Sequence, residues 1–263
     1  MVMSEEGHNF SPASYRQRRY RRSPEVSGYV FETRIGESDL WVNVSAPGLE
    51  EKAYESLLRC RSQLENFVAG NPEWSQSLVP VPASDYPLAP VPAKRMMTAA
   101  EVAGVGPMAA VAGAVAEAVG LRLLQDATTV VIENGGDIFL AGASQYRLAI
   151  FAGNSPLSGR VGIQLEAGEP FSCGVCTSSG RVGHSLSFGR ADAVTIVADD
   201  APLADAVATA MANRVRGRED LAGVIERALR IPGVNGAVAI YEDGLAAGGE
   251  LELIGLPEAT EGF

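Results

Sequence analysis

Residues 173–209, CGVCTSSGRVGHSLSFGRADAVTIVADDAPLADAVAT, hold the densest supply of chemically useful side chains in the chain. Hydroxyls at Thr177, Ser178 and Ser179, the Gly180 amide and the imidazole of His184 follow a strand-like run, and a carboxylate at Asp205 follows on a helix. Such groups, where a strand gives way to a loop and then a helix, suit a phosphate or nucleotide. His184 is the only histidine beyond the extreme N-terminus and fits an acid/base or phosphate-contacting role; a solvated loop histidine is the plainer alternative. Asp205 and Thr209 lie four residues apart, hence on one helical face, and an oxygen pair of that kind suits Mg²⁺. By spacing alone, a solvated helix face explains the pair better.

Cys173-Gly174-Val175-Cys176 raises a second chemistry. A C-x-x-C can be a redox pair or half of a metal site, but no second pair follows, which disfavours zinc or an iron–sulfur cluster. A Cys176 thiolate beside loop amides would suit sulfur or persulfide chemistry, with a small inert residue as the plain reading. Asn134-Gly135-Gly136-Asp137 is also double-edged. As structure it is a hairpin turn; as function, its glycines expose amides beside the Asp137 carboxylate. Gly104-Val105-Gly106 precedes Pro107, so Gly106 stands where the first amides of a helix are unpaired. Gly104-x-Gly106-x-x-Ala109 imitates a dinucleotide fingerprint but lacks the preceding strand that the fingerprint requires.

The elements around these groups read as a mixture. Residues 26–35 and 39–46 form a hairpin about Gly36-Glu37-Ser38, and 50–68 a helix with Tyr54, Leu57, Leu58, Leu64 and Phe67 near one face. Five prolines in 80–92 predict an extended connector between two lobes, and 99–124 predicts a helix of small residues that Pro107 begins and that lets a backbone or flat ligand come close. Strands are expected at 128–133, 147–151, 162–165, 171–176, 185–188, 193–197 and 236–241, with helices from Pro202 and over 218–230. The fold class is α+β, with residues 1–14 disordered, a single domain over 15–255 and a tail over 256–263.

Thirty-two acidic residues against 21 lysines and arginines give a net charge of −11, which argues against nucleic acid or an anionic membrane as partner. Three cysteines cannot all pair and no apolar segment near the start resembles a secretion signal, so a cytoplasmic, soluble protein is expected. Arg16, Arg18, Arg19, Arg21 and Arg22 interleave with Tyr15 and Tyr20; this arm could hold an anionic ligand or a partner subunit, or be a solvated terminus.

The segments GVGPMAAVAGAVAE from Gly104, ENGGDI from Glu133, CTSSGRVGHSLSFGRADAV from Cys176 and ADAVATA from Ala204 resemble a prokaryotic family within the ApbE superfamily, which includes the FAD:protein FMN transferases. The likeness runs from about Tyr15 to Tyr241. It implies two sheet-containing lobes with packed helices around a central cleft for FAD or FMN. It also implies Mg²⁺ on the pyrophosphate and an acceptor protein whose threonine hydroxyl takes FMN as AMP leaves. A homodimer is compatible with it. On this resemblance Gly106, Asn134, Gly135, Gly136, Asp137, Thr177, Ser178, Ser179 and Gly180 contact the nucleotide, Asp205 and Thr209 hold the metal, and His184 and Cys176 are the catalytic candidates. The resemblance also associates such proteins with sulfur assimilation, which is the alternative use of Cys176. Two departures stand out. Transferases carry Lys-Gly and an acid where this chain has Gly106-Pro107-Met108, and a His-Ile-Ile-Asp-Pro-like segment where it has His184-Ser185-Leu186.

Overall fold

In the computed structural model, which describes residues 28–165, 171–180 and 189–256, alternation along the first strands fixes the sheet. β1 (Tyr29–Ile35) and β2 (Ser38–Val44) pair antiparallel about a two-residue turn, and Leu40, Val42 and Val44 of β2 are buried together on one face. β3 (Val130–Asn134) and β4 (Asp137–Gly142) form the next hairpin, with Gly135 and Gly136 at φ 71° and 101°. Positive φ at both turn positions is what a two-residue hairpin of this hand requires. β7 (Phe171–Ser178), β8 (Ala193–Ala198), β9 (Val234–Tyr241) and β10 (Gly244–Gly249) complete an eight-stranded antiparallel sheet in the order β1-β2-β3-β4-β7-β8-β9-β10.

One face of that sheet carries the helices, α1 (Glu50–Gly70), α2 (Pro72–Gln76), α3 (Val91–Ala103), α4 (Val111–Leu123), α5 (Ala201–Ala212) and α6 (Leu221–Leu229). The other face carries a small sheet, β11-β6-β5, made of β5 (Tyr146–Ala149), β6 (Val161–Leu165) and β11 (Glu252–Gly255). Leu140, Val175, Val197 and Ile240 of the large sheet meet Ile163 and Leu165 of the small one in a second apolar cluster. The central strands are therefore covered on both sides, which is why β8 is buried at every position. This is the expected α+β arrangement with two sheets.

Three expectations need correction. On α1 the inward face is Ala53, Leu57, Cys60 and Leu64, while Tyr54 and Leu58 are exposed; the apolar residues predicted on one face are split. The proline-rich stretch is only partly extended: Ala83–Asp85 is a 3₁₀ turn, and Pro90 and Pro92 sit at the cap and first turn of α3, where a missing N–H costs no hydrogen bond. β2 before it and β3 after it are neighbours in the same sheet. The single small-residue helix predicted over 99–124 is two, because Gly104, at φ 73°, closes α3 with its N–H on the Ala100 carbonyl, and a 3₁₀ turn, Pro107–Ala110, leads into α4.

The small residues serve packing. A Cβ on Gly113 of α4 would lie 2.3 Å from the Ala201 carbonyl oxygen of α5, and one on Gly174 of β7 would lie 2.4 Å from the Ala201 Cα. The two helix starts also exchange carboxylates. Glu117 of α4 accepts the Ala201 N–H at 2.9 Å, and Asp205 of α5 accepts the Gly113 N–H at 2.9 Å. Asp200 caps α5 on the Leu203 N–H at 2.8 Å, and Arg95 of α3 pairs with both Glu117 and Asp200. Gly174→Ala is expected to lower stability by roughly 1–3 kcal/mol by lifting α5 off the sheet. Gly223→Ala, where a Cβ on α6 would meet nothing within 4 Å, is expected to be neutral or up to about 1 kcal/mol stabilising. Urea denaturation of both variants checks the contrast.

Candidate functional site

A cleft of about 1040 Å³ opens on the helical side of the large sheet, between the β1–β2 turn, the β3–β4 turn, the end of β7, the start of α4 and the Asp205–Thr209 face of α5. Strand register brings two acidic groups into it. Asp137, the first residue of β4, pairs with Cys176 of β7 and so shares its face; Asp205 comes down from α5, with Thr209 one turn further along.

These carboxylates lack the solvation that an ionised acid needs. Although Asp137 is only half-buried as a residue, its Oδ1 is fully buried and has no hydrogen-bond partner among the described residues. Burial, then the charge of Asp205, pushes the Asp137 carboxyl well above its ordinary range, against the Cys176 thiol and the Thr177 amide, which favour ionisation. Asp205 is pushed up to about 7 by burial, against the amides of Gly113 and Ala112. A bound cation relieves both the desolvation and the repulsion. Among the described residues there is no group of three or more His, Cys, Asp or Glu that could hold a metal; the cleft oxygens that could serve a cation are those of Asp137, Asp205 and the Thr209 hydroxyl. That is sparse for Ca²⁺ or Zn²⁺ and in keeping with Mg²⁺, which retains several waters.

Eight of the sequence-predicted residues line this cleft together: Asn134, Gly135 and Asp137 of the first turn, Thr177, Ser178 and Ser179 of the β7 end, and Asp205 with Thr209. Asn134 also ties the turn to α4 by donating to the Ala112 carbonyl at 3.1 Å. Gly136 does not line it; its N–H is taken by Glu133 at 2.7 Å. Gly180 likewise lies outside the lining, with its N–H on the Ala191 carbonyl at 2.9 Å, and Gly106 is buried where a Cβ would stand 1.8 Å from the Ser77 carbonyl oxygen. His184, the Arg/Tyr arm and the strand expected at 185–188 lie outside the described residues.

The cysteines behave as packing groups. Three residues apart on one strand, Cys173 and Cys176 point to opposite faces, the first into the inter-sheet cluster and the second under α5. They form neither a redox pair nor half a metal site. The Cys176 thiol is fully buried, donates to the Ala201 carbonyl at 3.4 Å, and is pushed well above its ordinary range by burial and then by Asp137 and Asp205. Sulfur chemistry needs the reverse.

The far wall of the cleft was not foreseen. Arg61 of α1 donates to Ser38 Oγ at 2.8 Å, Glu37 at 2.7 Å and Glu65 at 2.7 Å. Gly36 leaves room for it, since a Cβ there would lie 2.5 Å from Arg61 Nη2. Beyond it stand Leu64, Val68, Met96 and Trp74, whose ring packs edge-on against Phe67 at 5.0 Å. The only sequence signal was the spacing of Arg61, Leu64, Glu65 and Val68, which share one helical face.

A protein-family model described as AbpE bacteria matches residues 21–233. UPF0280 proteins of Methanocaldococcus jannaschii and Methanosphaerula palustris are 39% and 42% identical, covering 82% and 84% of this chain and 89% and 84% of theirs. Among solved structures, an ApbE protein of Thermotoga maritima is 16% identical with a TM-score of 0.53, covering 85% of this chain and 96% of its own. A flavin transferase ApbE of Vibrio cholerae, solved as a point mutant, is 12% identical with a TM-score of 0.54, covering 85% and 97%. At these identities the likeness shows the ApbE fold. Among the described residues no single helix is long and apolar enough to cross a membrane.

Two outcomes follow from the buried acids and thiol. The folded protein keeps a proton on Asp205 that the unfolded chain releases near pH 4, so metal-free stability should fall as pH rises from about 4 through about 7. Asp205→Asn should flatten that dependence in denaturation curves measured across the window; an unchanged slope contradicts the assignment. Cys176 should resist iodoacetamide in the native state at pH 7.5 and react only on unfolding, as peptide mapping would show.

Proposed function

The chain belongs to the AbpE bacteria family, and from that premise we propose that its cleft binds a flavin or related nucleotide together with Mg²⁺ for phosphoryl-type transfer. The observation that carries the reading is the Asp137 Oδ1, buried without a partner and facing the charge of Asp205. A partnerless buried carboxylate oxygen beside a second buried acid fits a divalent ion better than an empty pocket. Asp137, Asp205 and Thr209 would hold it, and it would supply positive charge to a pyrophosphate. The hydroxyls of Ser178 and Ser179 line the same end of the cleft and suit phosphate oxygens. Asp205 stays oriented because the start of α4 holds one of its oxygens.

The name of the Vibrio cholerae neighbour, a flavin transferase, supports the ligand class. In a transfer of that type an acceptor hydroxyl oxygen bonds to the FMN phosphorus, the phosphorus–oxygen bond to AMP breaks, and the hydroxyl proton passes to solvent or a base. One observation favours a second reading, a nucleotide-binding module without transfer. Gly106-Pro107-Met108 replaces the Lys-Gly-acid pattern, and Gly106 is packed away against Ser77.

Calorimetry with FAD, FMN and AMP, with and without Mg²⁺, tests the binding. FAD affinity should rise at least tenfold with Mg²⁺, and Asp205→Asn and Thr209→Val should each remove most of that gain while leaving the fold intact. Equal Mg²⁺ dependence in wild type and Asp205→Asn contradicts the site. Release of AMP from FAD in the presence of a threonine-bearing acceptor separates the transferase from the binding module.

A further inference from the structure

The large sheet has two edges, and they are built differently. Edge strands of natural sheets are guarded by charges, prolines or bulges, because their unpaired N–H and C=O groups invite another strand. β1 carries Glu32 and Arg34. β10, Gly-Leu-Ala-Ala-Gly-Gly, has no charge and no proline, and its pairing with β9 runs without a bulge. Among the described residues no strand lies on its outer side. The Glu250 N–H donates to the Asn235 carbonyl at 2.7 Å, and alternation along the strand then turns the N–H and C=O of Ala246 and Gly248 toward β9 and those of Leu245 and Ala247 outward. The side chains of Leu245 and Ala247 are exposed as well.

This edge is complementary to itself. Two β10 strands running antiparallel about Ala246 set Gly244 opposite Gly248 and Leu245 opposite Ala247, so each leucine meets a small residue and the outward backbone groups of both strands find partners. A two-fold axis normal to the sheet requires opposed residues to share a face, and this register meets that condition. The helices agree with it. Strands lie about 4.8 Å apart and packed helices about 8–10 Å apart, so one helix covers two strands, as α6 covers β9 and β10. Continuing the sheet through β10 therefore brings the α6 helices of two copies to packing distance. Arg218, Ile225 and Leu229 lean over β10: a Cβ on Gly244 would lie 3.0 Å from Arg218, and one on Gly248 would lie 3.0 Å from Ile225 and 3.1 Å from Leu229. The exposed Glu219, Ala222 and Glu226 form the next flank outward. Across the axis, Glu219 before one α6 meets Arg230 after the other, an opposite-charge contact made twice; within its own chain Arg230 has only a long 3.8 Å link to Glu226. Chains of net charge −11 repel one another, and this flank offers them a contact that is neutral at the strand and paired at the helix.

We propose that the outer edge of β10, flanked by α6, is an interaction surface whose partner is a second copy of this chain, joined antiparallel through β10 into one continuous sheet. The cleft draws its strand residues from β2, β3, β4 and β7, away from this edge, so both copies keep it open and the proposal stands apart from the nucleotide reading.

Sedimentation equilibrium of the full chain across the micromolar range tests it. Wild type should have twice the mass of one chain. Ala247→Pro removes an outward N–H and none of the bonds to β9, and Leu245→Lys puts a charge on the edge beside an otherwise unchanged strand. Circular dichroism and melting curves establish that each variant is folded. Both should sediment as single chains, with dimer dissociation constants raised at least about a hundredfold. Glu219→Arg and Arg230→Glu should each weaken the dimer by roughly three- to tenfold, and the double exchange should restore it, which a merely local role for either residue would not produce. A wild type that stays a single chain throughout the range overturns the proposal. So does a dimer that persists undiminished in folded Ala247→Pro and Leu245→Lys, because the copies then meet elsewhere. Failure of the double exchange to recover what the single changes lose overturns the antiparallel placement of α6.

Discussion

Two helices that start at nearly the same point in space, α4 and α5, hold this molecule's functional face together. The first amides of any helix have no partner inside it, and burying them unpaired is costly. Here each helix lends the other a carboxylate: Glu117 to the start of α5 and Asp205 to the start of α4. Carboxylates at helix N-termini also meet the positive end of the backbone dipole. The exchange is possible only because Gly113 and Gly174 let α5 approach both α4 and β7 at backbone contact.

That constraint explains why the cleft carries charge that its own fold does not neutralise. Glu117 has Arg95 beside it, whereas Asp205 has amides and, across the cleft, another acid. The register of β4 on β7 delivers Asp137 to the same place whatever else happens in the site. A buried acid pair can relieve its repulsion by taking up a proton or by binding a cation. Acids line both ends of the cleft: Asp137 and Asp205 at the sheet and α5 end, and Glu37, Asp39 and Glu65 at the α1 end, where Arg61 pairs with Glu37 and Glu65.

Local features were legible in the sequence where local physics decides them. The Asn-Gly-Gly-Asp turn, the span of α1 and the start of α5 behind Asp200 are each set by a few neighbouring residues, and all appear close to where the residue pattern puts them. Asp205 and Thr209 share the cleft because a four-residue spacing on a helix guarantees a common face. Arg61 and Trp74 reach the site through the packing of α1 and α2 against the first hairpin, a contact between distant segments that no short motif encodes. Strand parity decides the C-x-x-C spacing: residues three apart on a strand face opposite ways, so Cys173 and Cys176 do not meet. The prolines of 80–92 suggest an extended connector, although two of them stand where a helix begins and tolerates them.

On the proposed reading, Asp137 and Asp205 jointly hold a divalent cation beside the phosphates of a nucleotide. Crystals grown with Mn²⁺ and FAD, with data collected at the manganese absorption edge, test it most directly. An anomalous peak should stand within about 2.0–2.3 Å of a carboxylate oxygen from each residue, with nucleotide density running from that peak along the cleft. Nucleotide density in the cleft with the manganese peak elsewhere, or no peak on either carboxylate, would contradict it.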